Sequence, residues 1–268
     1  MTKNATEAEA ATQSRRSFLQ GGSTAAASIV GAAAVSSTTR LHAADSEETS
    51  SDEVNIALVG CGSRGGGAVV DNLSGHTKSR VVALADIDPD KPSRLRGSLK
   101  RRFEDRIAVE DSRLYDGIDA YQQVLEDPRV DAVLFATPPG FRPSHILAAV
   151  KAGKHVFAEK PSCVDAAGYR TCLEADQLAR DQGTSIVTGT QYRRQGNYIQ
   201  TVEKIREGAI GDIVSATARY CSNSIWYRAR KPGMTDTEYQ IYNWMHFIWL
   251  SGDQIAEQAV HNIDFINW

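Results

Sequence analysis

Three side chains near the end of the chain, Glu257, His261 and Asp264, have the types and the spacing of an acid–base group. They stand at positions i, i+4 and i+7, so a regular helix would present them on one face. Imidazole exchanges a proton readily near neutral pH, and a neighbouring carboxylate fixes its tautomer and raises its basicity. We therefore expect His261 to accept or donate a proton, with Glu257 or Asp264 orienting it.

Two other interpretations of this cluster stay open. One histidine and two carboxylates can bind a divalent metal ion, although no second histidine stands at ligand spacing. The cluster could also be the polar, solvent-facing side of an ordinary helix. The motifs that precede it in the sequence favour acid–base chemistry, and we predict no metal site.

A glycine-rich turn near the start of the ordered sequence could bind phosphates. The apolar run Val54 to Val59 predicts a strand, and it leads directly into Gly60-Cys61-Gly62-Ser63-Arg64-Gly65, a G-x-G-x-x-G motif. The first glycine permits a tight turn, the second lets a pyrophosphate approach the backbone, and the third lets the next helix lie close to the strand. The helix then points its N-terminus at the phosphates.

Asp86 ends a second apolar run, Arg80 to Ala85, about twenty residues after the last glycine of the motif. A carboxylate at this point accepts hydrogen bonds from the ribose hydroxyls of NAD and repels the 2′-phosphate of NADP. Its alternative role is a helix N-cap, for which Asp88 is better placed. The sequence thus predicts NAD as cofactor, with NADP less favoured, although Arg94 or Arg96 could still contact a phosphate.

Lys160, in Glu159-Lys160-Pro161, follows the predicted buried strand His155 to Ala158. An ammonium group there could hydrogen-bond a substrate hydroxyl and help its proton leave as a hydride departs from the same carbon. The alternative is a surface Glu–Lys pair, which would contribute little. Position alone does not separate these two interpretations.

Strands and helices must alternate to position these residues. The predicted strands are Val54 to Val59, Arg80 to Ala85, Val130 to Ala136, His155 to Ala158 and Ser185 to Gly189. The predicted helices are Gly66 to Leu73, Asp119 to Glu126, Pro143 to Ala152, Asp165 to about Asp181 and Asn197 to Glu207. This order indicates an α/β fold with a doubly wound parallel sheet and ligands at the carboxyl ends of its strands.

Further candidate residues lie at those strand ends. Prolines stiffen the loop at Thr137 and Pro138, which makes a rigid edge on which a nicotinamide or its ribose could rest. Gln191, Tyr192 and Arg193 follow the last strand and should face the cleft. Aromatic rings and guanidinium groups suit sugar rings and carboxylates, so Tyr192 and Arg193, together with Asp264, are candidate substrate contacts.

Several ordered segments together resemble the Gfo/Idh/MocA family, named for glucose–fructose oxidoreductase, inositol dehydrogenase and rhizopine catabolism. They are Gly60 to Gly65, Ala85-Asp86, Ala136-Thr137-Pro138-Pro139, Ala152-Gly153-Lys154-His155-Val156 and Glu159-Lys160-Pro161. The set is more specific than any single motif. The resemblance runs from about Val54 to the end of the chain, because Gly208-Ala209-Ile210-Gly211 resembles the family's entry into a second domain.

The resemblance implies a Rossmann domain over 53–190, followed by an α+β domain that supplies the substrate pocket and often the oligomer interface. It implies oxidation or reduction of a hydroxyl carbon of a sugar, cyclitol or related polyol with NAD(P). Lys160 and His261 would be catalytic, with Glu257 where the family more often has aspartate. The expected cofactor-binding residues are Gly60, Cys61, Gly62, Ser63, Arg64, Gly65, Asp86, Thr137, Pro138, Glu159, Lys160 and Gln191.

Other functions within and outside catalysis stay open. Some exported relatives hold their nucleotide tightly and pass hydride back and forth, and others use it in a redox-neutral glycoside cleavage. A nucleotide-binding sensor or scaffold without catalysis is the third possibility. The sequence does not separate these outcomes.

The first residues predict export. Ser14-Arg15-Arg16-Ser17-Phe18-Leu19-Gln20, an uncharged run and the ending Leu41-His42-Ala43 indicate a twin-arginine (Tat) signal over 1–43, with a linker over 44–52. Such a signal would take the folded protein, with any cofactor, to the periplasm. A disordered alanine-rich tail and a membrane anchor are the alternatives, but the run is short and rich in Gly, Ser and Thr. We expect no stable membrane span after the signal is removed.

Composition limits the partners. The 268 residues carry a formal net charge of −3, which gives no basic field for nucleic acid. The four cysteines lack metal-ligand spacing and are interpreted as small buried residues, with a disulfide not excluded. About sixty residues follow Gly208, enough for one or two strands and two helices. We therefore expect 191–268 to be an incomplete second domain, so that the chain is a fragment or needs a partner surface, and a longer form to be a homo-oligomer.

Overall fold

A six-stranded parallel sheet organises residues 53–268, which are the residues that the computed structural model describes. The strands are β1 (Val54–Val59), β2 (Ser79–Asp86), β3 (Leu114–Asp116), β4 (Ala132–Phe135), β5 (His155–Ala158) and β6 (Ile186–Thr188). Their order is β3-β2-β1-β4-β5-β6, and every neighbouring pair is parallel. The strand order reverses at β1 and β4, which is where a doubly wound sheet binds ligands. The predicted fold class is confirmed.

The central position of β1 follows from its apolar sequence. Ile56, Ala57, Leu58 and Val59 are all buried, as expected for a parallel strand that is covered on both faces. Leu58 pairs in register with Leu84 of β2 on one side and Leu134 of β4 on the other. This register brings the ends of β1, β2 and β4 to one edge of the sheet.

Except for the helix Asp90–Phe103, for which the sequence predicted no bounds, the helices of the sheet domain lie close to the predicted bounds. They are α1 (Ser63–Gly75), α2 (Asp90–Phe103), α3 (Ala120–Glu126), α4 (Arg142–Lys151) and α5 (Ala166–Gln182). The short edge strand β3 was not predicted, because its three residues give no recognisable alternation. Two apolar clusters, one led by Phe135 and Ile146 and the other by Leu58 and Val69, form the core.

After β6 the described chain contains helices and irregular segments and no further strand. The helices are α6 (Gly196–Arg206), α7 (Asp236–Tyr242), α8 (Ile248–Ser251) and α9 (Val260–Ile266), the last preceded by a π-helical turn over Ile255–Ala259. The one or two strands expected after Gly208 are not formed: residues 212–232 are irregular and largely exposed, without a neighbouring strand to pair with. The boundary expected between residues 190 and 191 stays a prediction.

None of the helices in the described part of the chain is long and apolar enough to cross a membrane. The predicted export signal and linker, residues 1–52, lie outside the described residues.

Candidate active site

The glycine-rich turn brings three backbones together and leaves one position open. Gly60 has a positive φ of 100°, and a Cβ there would lie 2.8 Å from the carbonyl carbon of Ala136. A Cβ on Gly65 would lie 1.9 Å from the Gly60 carbonyl oxygen, so only glycine fits at this strand–helix contact. Nothing lies within 4 Å of the corresponding position on Gly62. A ligand can therefore approach the backbone at Gly62, as the motif predicts.

The N-terminus of α1 is suited to an anion. Gly62 is its N-cap residue, makes no side-chain capping hydrogen bond, and the first turn contains no acidic side chain. The free N–H groups and the positive end of the helix dipole therefore remain available for a phosphate.

A cavity of about 1000 Å³ extends from this turn. The glycine-rich turn and Asp86 line one part of it, Thr137 and Pro138 another, and residues between Trp226 and Trp244 close it from the C-terminal region. Its size is in the upper range for small-molecule and cofactor sites. The sequence did not predict that the segment after residue 225 contributes to this wall.

Asp86 lies buried at the end of β2, as predicted, and its carboxylate is already engaged. Its Oδ2 accepts the backbone N–H of Cys61 at 2.7 Å, and its Oδ1 accepts the N–H of Asp88 at 2.9 Å. The ammonium group of Lys91 also donates to Oδ1, at 3.1 Å. Lys91, which sequence reasoning missed, thus gives the expected NAD-selecting carboxylate a positive partner.

Arg94 and Arg96, which could have contacted a phosphate near Asp86, have other partners in the structure. Arg94 lines the cavity but pairs with Asp90 at 2.8 Å on an exposed surface. Arg96 pairs with Asp111 and donates to the Val109 carbonyl, away from the glycine-rich turn.

Lys160 forms a largely buried ion pair with Glu257. Its Nζ lies 2.7 Å from Oε1 of Glu257 and also donates to the Glu257 backbone carbonyl. Burial raises the pKa of Glu257, whereas the charge of Lys160 opposes that shift. Glu257 Oε2 is buried without a hydrogen-bond partner among the described residues. A surface Glu159–Lys160 pair is therefore the wrong interpretation, since Glu159 is also buried and pairs with Arg64 instead.

His261 lies half-buried against Tyr192, with ring centroids 5.3 Å apart. Burial lowers its pKa, the positive charge of Lys160 lowers it further, and Asp264 acts in the opposite direction. Its imidazole is therefore neutral at neutral pH and able to accept a proton.

The expected orientation of His261 by a carboxylate is not seen in the described part of the chain. Glu257 binds Lys160, and Asp264 accepts two hydrogen bonds from Arg193 Nε, at 3.0 and 2.8 Å. The π-helical turn Ile255–Ala259, with its wider i→i+5 turn, separates Glu257 from the α-helix that contains His261. Asp264 lies on the same helix as His261, but its carboxylate binds Arg193 instead.

Two buried polar residues of α4 were missed by sequence reasoning. Arg142 donates to the Pro161 carbonyl at 2.7 Å, and burial lowers its pKa to about 10 although Glu257 and Glu159 oppose the shift. His145 hydrogen-bonds Thr137 Oγ1 at 3.2 Å, and burial, followed by the charge of Arg142, lowers its pKa to about 4. The helical spacing could have identified Arg142. Ile146, Ala149 and Val150 follow it at i+4, i+7 and i+8, so all four lie on the buried stripe of the helix.

The remaining candidates divide into two groups. Tyr192 and Arg193 lie beside His261 and Asp264, whereas Gln191 is exposed and does not line the cavity. Lys160, Glu257 and His261 are also not part of the cavity wall, and Arg64, which lines the cavity, reaches Glu159 at 2.8 Å. This ion pair links the glycine-rich turn to the segment that carries Lys160. We refer to the turn and the Lys160 group as the two halves of the candidate site. Residues 53–268 contain no group of three or more His, Cys, Asp or Glu arranged to hold a metal ion.

Comparison with known proteins relates the chain to redox enzymes. Residues 54–190 match the family GFO_IDH_MocA, described as an oxidoreductase family with an NAD-binding Rossmann fold. An inositol 2-dehydrogenase of Acidothermus cellulolyticus is 27% identical over 216 residues, which are 80% of this chain and 53% of that protein. A glycosyl hydrolase family 109 protein of Shewanella sp. (strain ANA-3) is 27% identical over 191 residues, 70% of this chain and 40% of that protein.

The fold is also similar to solved structures. An NAD-binding protein from Listeria innocua superimposes with a TM-score of 0.59 at 23% identity, over 80% of this chain and 54% of that one. The chain spans about half the length of the curated relatives that it matches.

Proposed function

Because the chain belongs to the Gfo/Idh/MocA oxidoreductase family, with its NAD-binding Rossmann fold, we propose that it transfers a hydride between a nicotinamide cofactor and a hydroxyl or keto carbon. The substrate class that we propose is a sugar, cyclitol or related polyol, supported by the similarity to an inositol dehydrogenase. The observation that carries the proposal is the buried Lys160–Glu257 pair, whose lysine follows Glu159, the carboxylate that pairs with Arg64 of the glycine-rich turn.

The residues present fit a dinucleotide. The open space at Gly62 and the uncapped N-terminus of α1 suit a pyrophosphate, and Asp86 stands where a ribose would be held. Thr137 and Pro138 form the cavity wall at the end of β4. When bound, the nicotinamide supplies a hydride acceptor or donor. Asp86 supports NAD as the preferred form.

We propose that Lys160 holds the substrate oxygen. Its side chain is 17% exposed, so its charge is screened less than that of a surface lysine. A substrate hydroxyl or keto oxygen that accepts from Nζ would be polarised by that charge, which helps the proton leave or return.

We propose that His261 moves that proton. Burial lowers the pKa of His261, which favours the neutral imidazole. A neutral imidazole can take the hydroxyl proton as the carbon loses its hydride. In the reduction it returns the proton to the oxygen. Tyr192 packs against the imidazole and limits its movement.

Kinetics of two variants test this mechanism. Lys160→Met and His261→Asn should each lower kcat for nicotinamide reduction with a polyol panel by about 10²–10⁴-fold. The affinity for the nucleotide should change little, because neither side chain lines the cavity at the glycine-rich turn. Lys151→Met is the matched control, since Lys151 lies on α4 and pairs with Glu174 at the surface. Variants that bind the nucleotide and turn over at the unaltered rate would refute the mechanism.

A redox-neutral glycoside cleavage is the second candidate, favoured by the similarity to a glycosyl hydrolase family 109 protein. Release of an aglycone without net formation of reduced nicotinamide would identify it. A protein that binds nucleotide, shows neither reaction and associates with a partner when ligand is present would instead be a sensor or scaffold.

We also propose that the protein is exported folded, with its cofactor, and that it is a homo-oligomer. The twin-arginine motif at Arg15-Arg16 supports the first proposal. Fractionation of cells that express the protein and its Arg15→Lys, Arg16→Lys variant tests export: the variant should stay in the cytoplasm.

A further inference from the structure

We propose that Lys91 determines cofactor specificity by letting the ribose end of the cleft accept the 2′-phosphate of NADP in addition to NAD. This inference rests on the proposed nicotinamide chemistry. It starts from the contact between Lys91 Nζ and Asp86 Oδ1 at 3.1 Å, at the carboxylate that would otherwise exclude NADP.

Asp86 has little free acceptor capacity. A carboxylate offers about four lone-pair sites. The N–H groups of Cys61 and Asp88 and the ammonium group of Lys91 occupy three of them. The two backbone donors are fixed by the turn and the start of α2, whereas the Lys91 side chain can move. Lys91 is therefore the partner that a ribose hydroxyl would displace or a phosphate would recruit.

Lys91 is also placed to meet a ligand. It stands in the first turn of α2, lines the cavity, and has a side chain that is 35% exposed, compared with 6% for Asp86. An ammonium group is a compact charge that binds phosphate as a point partner.

The charge balance favours tolerance of a phosphate. Two like charges in contact at a partly buried site repel each other more strongly than they would in bulk water. Asp86 alone would therefore reject a 2′-phosphate, and a cation in contact with both groups offsets that repulsion. Arg94 and Arg96 are held by Asp90 and Asp111, so Lys91 is the cation that the structure places on the ribose carboxylate.

Equilibrium binding of NAD and NADP to the full chain tests the inference. The unaltered protein should bind the two nucleotides with Kd values within about tenfold of each other, a difference of about 1.4 kcal/mol. Lys91→Met should weaken NADP binding at least about tenfold and NAD binding less than about threefold, since a charge-assisted hydrogen bond is lost only with the phosphate. Lys91→Arg should keep NADP binding.

Lys100→Met is the matched control, because Lys100 lies on the same helix but does not line the cavity. It should bind both nucleotides like the unaltered protein. Thermal unfolding of each variant verifies that it is folded, and Lys91→Gln replaces Lys91→Met if the latter is not.

The outcomes separate this inference from the function on which it rests. If the unaltered protein binds NAD but excludes NADP, or if Lys91→Met weakens both nucleotides equally, Lys91 only braces Asp86 and the inference is wrong. If neither nucleotide binds, the proposed function itself fails.

Discussion

The two halves of the site are built in different ways. The half that would hold the nucleotide consists of the backbone of the glycine-rich turn and the carboxyl ends of strands β1, β2 and β4. The register of the sheet brings these strand ends together. The half that contains Lys160 depends on a contact with Glu257, 97 residues further along the chain. The first half follows from the parallel sheet alone, whereas the second exists only when the C-terminal region is docked.

Their electrostatics differ as well. The nucleotide half offers free helix N–H groups and a carboxylate whose oxygens are hydrogen-bonded. The Lys160 half contains buried charges, and Arg142 Nε and Glu257 Oε2 have no hydrogen-bond partner there among the described residues. Unsatisfied buried polar atoms are costly, so the Lys160 half is electrostatically less well satisfied than the nucleotide half.

The largest effect should come from the glycine-rich turn. Gly65→Ala places a Cβ against the Gly60 carbonyl oxygen and should lower the free energy of unfolding by about 1–3 kcal/mol or more. Gly62→Ala, where space is open, should leave stability unchanged. Urea unfolding of both variants provides the measurement. Equal loss in the two would mean that the turn is not held by this close packing.

Acid should lower the free energy of unfolding through His145, which hydrogen-bonds Thr137 in the cavity wall. Its pKa is lowered to about 4 from 6.5, so the unfolded chain takes up the proton first. The stability is present above pH 6.5 and is lost as pH falls toward 4, by about 2.5 kcal/mol at pH 4.5. Unfolding of His145→Asn between pH 7 and 4.5 should show a smaller loss than the unaltered protein. Parallel pH profiles would contradict a buried neutral His145.

Glu257→Gln should have the smallest effect on stability, and that effect should be confined to the Lys160 half. The amide oxygen still accepts a hydrogen bond from Lys160, but the substitution removes the negative charge that opposes the ammonium group. We expect the contact between the C-terminal region and the sheet domain to be weaker by about 1–2 kcal/mol. Hydrogen exchange should become faster in Val260–Ile266 and stay unchanged in β1. Faster exchange throughout the sheet would show that the two halves are one cooperative unit.

Sequence reasoning succeeded where patterns are local. The glycine motif, Asp86 and strand β5 follow from short runs of apolar and turn-forming residues, and the structure places all of them as expected. Sequence reasoning failed where contacts between residues distant in the sequence determine the partners of a side chain. No periodicity indicates the π-helical turn at Ile255–Ala259 or the contact between Arg193 and Asp264, 71 residues apart, so the partners of Glu257 and Asp264 were not predictable.

Lys91 shows the same limit at closer range. It lies only five residues after Asp86, but its side chain reaches back because α2 begins directly after the strand. A residue of ordinary type at a helix start gives no signal of this contact. His145 and Arg142, by contrast, could have been found as polar residues on an apolar helical stripe.

Native mass spectrometry of the protein, with NAD and without added nucleotide, tests the central claim that this cleft binds a nicotinamide dinucleotide. We expect one dinucleotide per chain for the unaltered protein. Gly62→Asp, whose Cβ has no protein atom within 4 Å and whose carboxylate would repel the phosphates, should fold and lose the dinucleotide. An unaltered protein that binds no dinucleotide at millimolar concentration, or a Gly62→Asp protein that binds it equally well, would contradict the account.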